Sequence, residues 1–308
     1  MSRRRFVALV SGLSLVALGL VAGLVVVLVT QTPYGRDKVR DIVESRLRPN
    51  VKGKLYVGKI RGGLLGGVII DSLEIRDPDD SLVLASGPIT LDYDPRDLID
   101  KRVLLSHAEL VRPVFYARRH ENGDWNFRRA FPGKGKKPNV PKVDRGFGDF
   151  IVADSVTIKD GSFILTMPWH PSDTLHGAKR DSAVHAALSS KDHEVRRTRE
   201  GYAKTYRWTG IDLESPYVRI ADPDSAGQLY TANTMSVRES DPPFLFTNTT
   251  AAARVHGDSL WLNVQHFDLP GSSGNAKGKV VWGSDLPVRY NIDVEADTIS
   301  LADVAWVY

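Results

Sequence analysis

The chain has 308 residues, of which 42% are hydrophobic and 25% are charged, and its formal net charge is +4. This composition excludes collagen-like, low-complexity and wholly disordered proteins, and so small a net charge does not indicate a nucleic-acid partner. Because the sequence contains no cysteine, disulfides, thiolate metal sites and a cysteine nucleophile are excluded as well.

The first 30 residues predict a transmembrane anchor. Residues 6–29 carry no ionisable side chain, and a helix of that length spans the hydrocarbon core of a bilayer, which is about 30 Å thick. A cleaved signal peptide is the alternative, but its apolar run is usually only about 7 to 15 residues. The arginines at positions 3–5 favour a cytoplasmic N-terminus, with the rest of the chain outside the cytoplasm.

Residues 31–49 predict a short amphipathic helix next to the membrane. Val39, Ile42, Val43 and Leu47 recur at spacings of three and four residues, which is the period of one helix face. This apolar stripe either lies on lipid headgroups or caps the first part of the following sheet.

Beyond residue 50 the apolar residues alternate with polar ones, which predicts a mainly β body of antiparallel strands, each with one apolar face. Two segments interrupt this pattern: a basic Gly/Pro-rich linker at 132–149 and a polar insertion at 168–204. They divide the body into a first β unit at 50–131 and a second at 150–308. Alternation alone also allows a closed β-sandwich, in which the apolar faces cover each other.

Motifs for catalysis and for cofactor binding were not found in the sequence. Neither a Gly-x-Ser-x-Gly motif nor a P-loop occurs, and the eight histidines do not have the spacing of zinc ligands. The Asp-Pro-Asp-Asp segment at 77–80 lacks the rest of a calcium-binding loop and predicts a turn. We therefore expect a protein that is not an enzyme and that uses neither a cofactor nor a metal.

A basic cluster surrounds Trp125 and Phe127. Anionic headgroups attract such a cluster with about 1 kcal/mol per basic residue near a membrane surface, and a solvated loop is the alternative. The residues expected to face headgroups are Arg118, Arg119, Arg128, Arg129, Lys134, Lys136 and Lys137.

Several segments stand out in their order along the chain. They are the predicted anchor, 32–36, 60–64, 73–77, the Pro-x-hydrophobic and Asn-Gly-x-Trp-Asn hairpin within 112–127, and 269–272 with 278–282. Taken in this order, they resemble the AsmA-like proteins, a family that includes TamB and shares a chorein-type N-terminal region with bridge-like lipid transfer proteins. The resemblance covers most of residues 1–130 and, more thinly, 255–308.

The resemblance implies a protein of the bacterial inner membrane with a periplasmic body. That body would be a curved β half-pipe whose apolar groove holds phospholipid acyl chains on their way to the outer membrane. The family also implies an alternative, a membrane-anchored scaffold that assembles or translocates outer-membrane or secreted proteins by β-augmentation, with an outer-membrane β-barrel protein as partner.

The predicted lining of the groove follows from combining the resemblance with the alternation of the strands. We expect the apolar set of each strand to face the lipid, because successive side chains of a strand point to opposite faces. The predicted lining residues are Leu73, Ile75, Ile89, Leu91, Tyr93, Val156, Ile158, Leu260, Leu262, Val264, Tyr290, Ile292 and Val294.

Overall fold

The structure is a computed structural model that describes residues 51–63, 66–131, 149–190, 194–241, 245–281 and 289–304. The predicted anchor at 1–30, the amphipathic helix at 31–49 and the linker residues 132–148 lie outside these ranges. Within them, none of the helices has the length and the hydropathy that crossing a bilayer requires.

The described residues form one 19-stranded sheet with four short helices beside it. The first half of the strands is β1 (Lys54–Val57), β2 (Ile60–Gly63), β3 (Gly67–Ile70), β4 (Leu73–Arg76), β5 (Leu82–Ser86), β6 (Ile89–Tyr93), β7 (Val103–Val111), β8 (Val114–Arg118) and β9 (Ile151–Ala153). The second half is β10 (Val156–Trp169), β11 (Glu194–Thr198), β12 (Gly201–Ser215), β13 (Val218–Ala221), β14 (Gln228–Ala232), β15 (Thr234–Asp241), β16 (Thr247–His256), β17 (Ser259–Leu269), β18 (Ser272–Val281) and β19 (Arg289–Thr298). The helices are α1 (Pro95–Ile99), α2 (Asn126–Ala130), α3 (Gly177–Ser189) and α4 (Leu301–Val304).

Most strands pair antiparallel with a strand close in sequence, as the alternation predicts. One junction differs, because β7 runs parallel to β9 and β10, and β8 runs parallel to β10. Parallel neighbours need a crossover of about a dozen residues or more, and the chain between β8 and β9, whose described part contains α2, provides it. The two predicted β units are thereby joined in one sheet.

The sheet is curved and is not closed into a barrel. At one end lie β1 and β2, which pair with β4 and β3, and at the other end lies β19, which pairs with β18. The prediction of a mainly β body with a large curved sheet is confirmed. A closed β-sandwich is not found, because all the described strands belong to this one sheet.

A line of bends, which we call the crease, crosses the sheet at 58–59, 71–72, 87–88, 112–113, 160–161 and 210. Hydrogen bonds continue across it, as between the amide of Gly87 and the carbonyl of Val111 at 3.0 Å. Arg112, Asp160 and Gly210 have positive φ angles of 51°, 56° and 63°. A residue in this conformation interrupts the regular alternation of a strand, so the apolar positions shift by one at the crease.

The side chains of Ile158 and Phe163 show the result of this shift in β10. A β-carbon placed on Gly161 would lie 2.9 Å from Cγ2 of Ile158, so these two positions face the same side. Phe163 follows Gly161 by two residues and therefore shares that side. In a regular strand Ile158 and Phe163 would point to opposite faces, because their spacing is odd. The bend at the crease places both on one face of the sheet.

A buried apolar cluster joins α2 to the sheet. Val83 and Ala130 are fully buried there, and Val51 and Ile75 lie beside them. Leu55, Leu84 and Phe127 pack against this cluster. Helix α2 therefore covers the part of the sheet that β1, β4 and β5 form.

The predicted polar insertion at 168–204 contains a helix, one complete strand and parts of two others in its described parts. It holds the end of β10, the helix α3, the strand β11 and the beginning of β12. None of the residues of α3 is buried, which explains the polar sequence of this segment.

Candidate functional site

Residues that are directly paired in a β-ladder point to the same face, so the register of the strands defines rows of side chains across the sheet. One such row, the aliphatic row, crosses β2, β3, β6, β7, β10, β12 and β15. Its members are Ile60, Ile70, Ile89, Leu110, Ile158, Leu213 and Met235. Every position of the aliphatic row is thus apolar, although its members come from the whole range 60–235.

A second row, the aromatic row, crosses the sheet on the other side of the crease. It consists of Leu55, Ile75, Leu84, Phe115, Phe163 and Trp208. The ring of Phe163 stacks on Phe115 with 5.8 Å between centroids and on Trp208 with 5.3 Å. Phe127 of α2 lies 6.1 Å from the ring of Phe115, so the rings form a continuous line of aromatic surface.

A third row, the C-terminal row, runs from β7 to the last strand. It consists of Leu105, Ala153, Val218, Tyr230, Ala253, Leu262, Gly278 and Ile292. None of these positions carries a charged side chain.

The three rows lie on the same face of the sheet. Ile89 and Tyr93 share one face of β6, because even spacing along a strand keeps side chains on one side. Ile89 belongs to the aliphatic row, whereas Tyr93 pairs with Leu105 of the C-terminal row. Ile158 and Phe163 connect the aliphatic and the aromatic rows in the same way. We call the surface that these rows form together the apolar face.

All the lining residues that the sequence predicts lie in these rows or directly beside them. Ile75, Ile89, Ile158, Leu262 and Ile292 are members of the rows. The other predicted residues are paired with apolar or uncharged neighbours. Leu73 pairs with Val57, and Tyr93 pairs with Leu105. Ala108 lies between Leu91 and Val156, Val280 between Leu260 and Tyr290, and Ala276 between Val264 and Val294. The structure thus brings the predicted residues together on one surface, and their contact with lipid stays a prediction.

Exposure of the apolar face increases from the beginning of the sheet to its end. Ile75 and Ile89 are each 7% exposed, whereas Ile292, Val294 and Tyr290 on β19 are 41%, 59% and 75% exposed. Helix α2 covers Ile75 and its neighbours on β1, β4 and β5. Contiguous exposed apolar surface of this kind is typical of interaction sites.

The opposite face of the sheet carries ion pairs, together with exposed aromatic residues such as Tyr56 and Trp261. Lys159 binds Glu109 at 2.7 Å, on the strands that contribute Ile158 and Leu110 to the aliphatic row. Arg238 binds Asp160 at 2.6 Å beside the crease. The two faces of the sheet therefore differ in polarity. One face is suited to contact with water and the other to contact with apolar groups.

Two tyrosines of the apolar face are partly desolvated. Partial burial raises the pKa of Tyr93 and of Tyr230 above the usual 10.0. Desolvation penalises the charged phenolate, which is the cause of both shifts. Tyr93 is one of the predicted lining residues, and Tyr230 belongs to the C-terminal row.

Three of the four described arginines of the predicted headgroup-facing set lie beside carboxylates of the protein itself. Arg118 lies 3.9 Å from Glu200, Arg128 lies 3.2 Å from Asp258, and Arg129 lies 2.7 Å from Asp79. The backbone of Arg119 pairs with Trp125 in an isolated bridge. Lys134, Lys136 and Lys137 lie outside the described residues. A role of the set at headgroups stays a prediction.

The aromatic row is the main feature of the site that the sequence-based prediction omitted. Phe163 and Leu165 alternate in the sequence, and so do Tyr206 and Trp208. These pairs are the signal that could have identified the row. This signal is hard to recognise, because the alternation shifts by one position at the crease. Phe163 and Trp208 therefore do not continue the alternation of Ile158 and Leu213.

Comparison with protein-family models and with curated proteins found no match to this chain.

Proposed function

We propose that the protein holds phospholipid acyl chains on its apolar face and conducts them between membranes. In this proposal it is an anchored periplasmic protein of the bacterial inner membrane, of AsmA/TamB type, and it serves the biogenesis of the outer membrane without catalysing a reaction. The observation that carries the proposal is the set of apolar rows, which run across the strands of an unclosed sheet and become more exposed toward β19.

The energetics of such a surface favour an apolar occupant. Exposure of apolar surface to water costs about 25 cal/mol per Å², and each methylene that leaves water contributes about 0.8 kcal/mol. An acyl chain that lies on the rows removes both surfaces from water at once. The open sheet leaves the polar headgroup of the lipid free to remain in solvent.

The dimensions of the rows suit a lipid tail. Neighbouring strands lie about 4.8 Å apart, so a row from β2 to β15 extends roughly 30 Å. This length is comparable to the hydrocarbon core of a whole bilayer, which is about 30 Å thick. A tail that leaves one leaflet therefore finds apolar contacts along its full length.

Site-specific photocrosslinking in intact cells tests the proposal. Phe115 of the aromatic row is replaced by a benzophenone amino acid, and the matched control carries the same group at Tyr116, the next residue of β8, which faces the polar side. We expect phospholipid adducts, identified by mass spectrometry, at position 115 and not at position 116. Absence of lipid adducts at position 115, or equal yields at both positions, would contradict the proposal.

A scaffold that binds other proteins by β-augmentation is the second candidate. Among the strands that the structure describes, β19 pairs on one side only, with β18, and an edge of this kind can accept a further strand. Crosslinks from Asn291 or Asp293 to a β-barrel protein, without lipid adducts at position 115, would select this function.

A further inference from the structure

A group of potential metal ligands lies at the turn between β4 and β5, and none of them is a member of the apolar rows. Asp77 and Asp79 belong to this turn, and His120 follows β8. One ligand atom of each of the three residues lies within 4.8 Å of the other two. The amides of Asp79 and Ser81 donate to Oδ1 of Asp77 at 2.9 and 2.8 Å, which fixes the orientation of this carboxylate.

The second oxygen of Asp77 is an independent indication of a bound cation. Asp77 is 1% exposed, and its Oδ2 has no hydrogen-bond partner among the described residues. A buried carboxylate oxygen without a partner is costly, and buried charges in proteins are normally paired or bind metals. The turn therefore presents a fixed acceptor that lacks a donor.

The contacts of His120 orient its ring as in metal sites. Its Nδ1 lies 3.1 and 3.3 Å from the two carboxylate oxygens of Glu200, and its Nε2 lies 3.2 Å from a guanidinium nitrogen of Arg129. A guanidinium only donates and a carboxylate accepts, so Nδ1 carries the proton and Nε2 presents its lone pair. A carboxylate behind a histidine is the usual outer contact of a metal-binding imidazole.

We propose that Asp77, Asp79 and His120 form a binding site for a divalent transition-metal ion of the zinc class. Glu200 is a positioning residue that orients the imidazole of His120. The imidazole favours zinc over magnesium and calcium, which prefer oxygen ligands alone. The bound ion joins the turn between β4 and β5 to the segment that leads into α2.

Arg129 competes with the ion for the same ligands. Its guanidinium binds Asp79 at 2.7 Å and also contacts Nε2 of His120. It therefore neutralises part of the cluster in the metal-free state and has to leave when an ion binds. Because of this competition, we expect removal of Arg129 to strengthen metal binding. Residues that form only a surface ion pair would not show this effect.

Zinc titration of the full-length chain after treatment with a chelator tests the proposal. We expect one zinc ion per chain, and excess magnesium does not displace it. Asp79→Asn and Glu200→Gln each lower the affinity roughly tenfold or more, whereas Arg129→Gln raises it. Asp79 is exposed, with 56% of its side chain in solvent, so Asp79→Asn leaves the fold intact, and circular dichroism verifies this.

His185→Gln is the matched control, because His185 is an exposed histidine of α3 far from the turn in sequence. We expect no change of affinity in this variant. The proposal is overturned if the wild type binds no zinc, if Asp79→Asn binds zinc as the wild type does, or if Arg129→Gln binds it more weakly. None of these results depends on lipid binding.

Discussion

Asn126 is fully buried at the beginning of α2 and uses every hydrogen-bonding position of its amide. Its Oδ1 accepts from the amides of Arg118 and Phe127, both at 2.9 Å. Its Nδ2 donates to the carbonyls of Leu82 and Tyr116 at 3.1 and 2.7 Å. This one side chain therefore attaches α2 to β5 and β8. It thereby holds the helix in place over β1, β4 and β5.

The substitution Asn126→Asp tests this attachment. A carboxylate cannot donate to the two carbonyls, and each buried polar group left unsatisfied costs about 1–3 kcal/mol. We therefore expect the free energy of unfolding to fall by about 3 kcal/mol, measured by denaturant titration. Asn122→Asp, at an exposed position of the preceding turn, is the control, and equal losses in both variants would contradict the assignment.

Tyr93 allows the polarity of the apolar face to be measured by pH. Because desolvation raises the pKa of the phenol in the folded protein above 10.0, the unfolded state ionises first. Stability is therefore complete below about pH 10 and is lost as the pH rises through the folded-state pKa. We expect Tyr93→Phe to remove a tyrosinate absorbance step above pH 10 and to reduce the loss of stability at high pH. A tyrosinate titration unchanged by the substitution would show that Tyr93 is solvated.

At the scale of strands, the crease keeps the apolar residues of both parts on one face. Its geometry depends on Gly210, whose φ angle is +63° and whose substituted β-carbon would lie 2.9 Å from Cβ of Arg238. Gly257 in the turn between β16 and β17 has a similar φ of +58°, but a β-carbon there would contact nothing within 4 Å. The two glycines therefore have similar φ angles but differ in the space around them.

Substitution of these two glycines by alanine separates backbone conformation from crowding. We expect Gly257→Ala to lower the free energy of unfolding by about 1 kcal/mol, which is the conformational cost alone. Gly210→Ala adds the overlap with Arg238, so a loss of roughly 2–3 kcal/mol is expected. Equal losses in denaturant titrations of the two variants would show that the crease tolerates a side chain at this position.

The sequence predicts the strands well, because alternation is a local property. Leu91 and Tyr93, for example, are recognisable without knowledge of their partners. The crease is not predictable in the same way, since a single residue with positive φ, such as Asp160, changes the phase of everything that follows. The parallel pairing of β8 with β10 also depends on contacts between distant segments, and no periodicity reveals it. The apolar positions are thus predictable strand by strand, whereas the aromatic row requires the register.

At the scale of the whole molecule, the apolar face is assembled from segments that lie far apart in the chain. The aliphatic row begins at Ile60 and ends at Met235, and the C-terminal row extends the face to Ile292. The sheet remains unclosed, so its exposed part needs an occupant if the cost of exposure is to be avoided. Lipid tails satisfy this need in our proposal, and the polar face keeps the opposite side soluble.

Native mass spectrometry of the full-length chain tests this central claim most directly. Wild type, Ile292→Asp and Asn291→Asp are extracted in the same detergent, so that loosely attached membrane lipid is a common background. Both variants introduce a carboxylate at an exposed position of β19, but only position 292 belongs to the apolar face. We predict that wild type and Asn291→Asp retain bound phospholipid and that folded Ile292→Asp has lost it. A wild type without lipid, or equal retention in the two variants, would contradict the account.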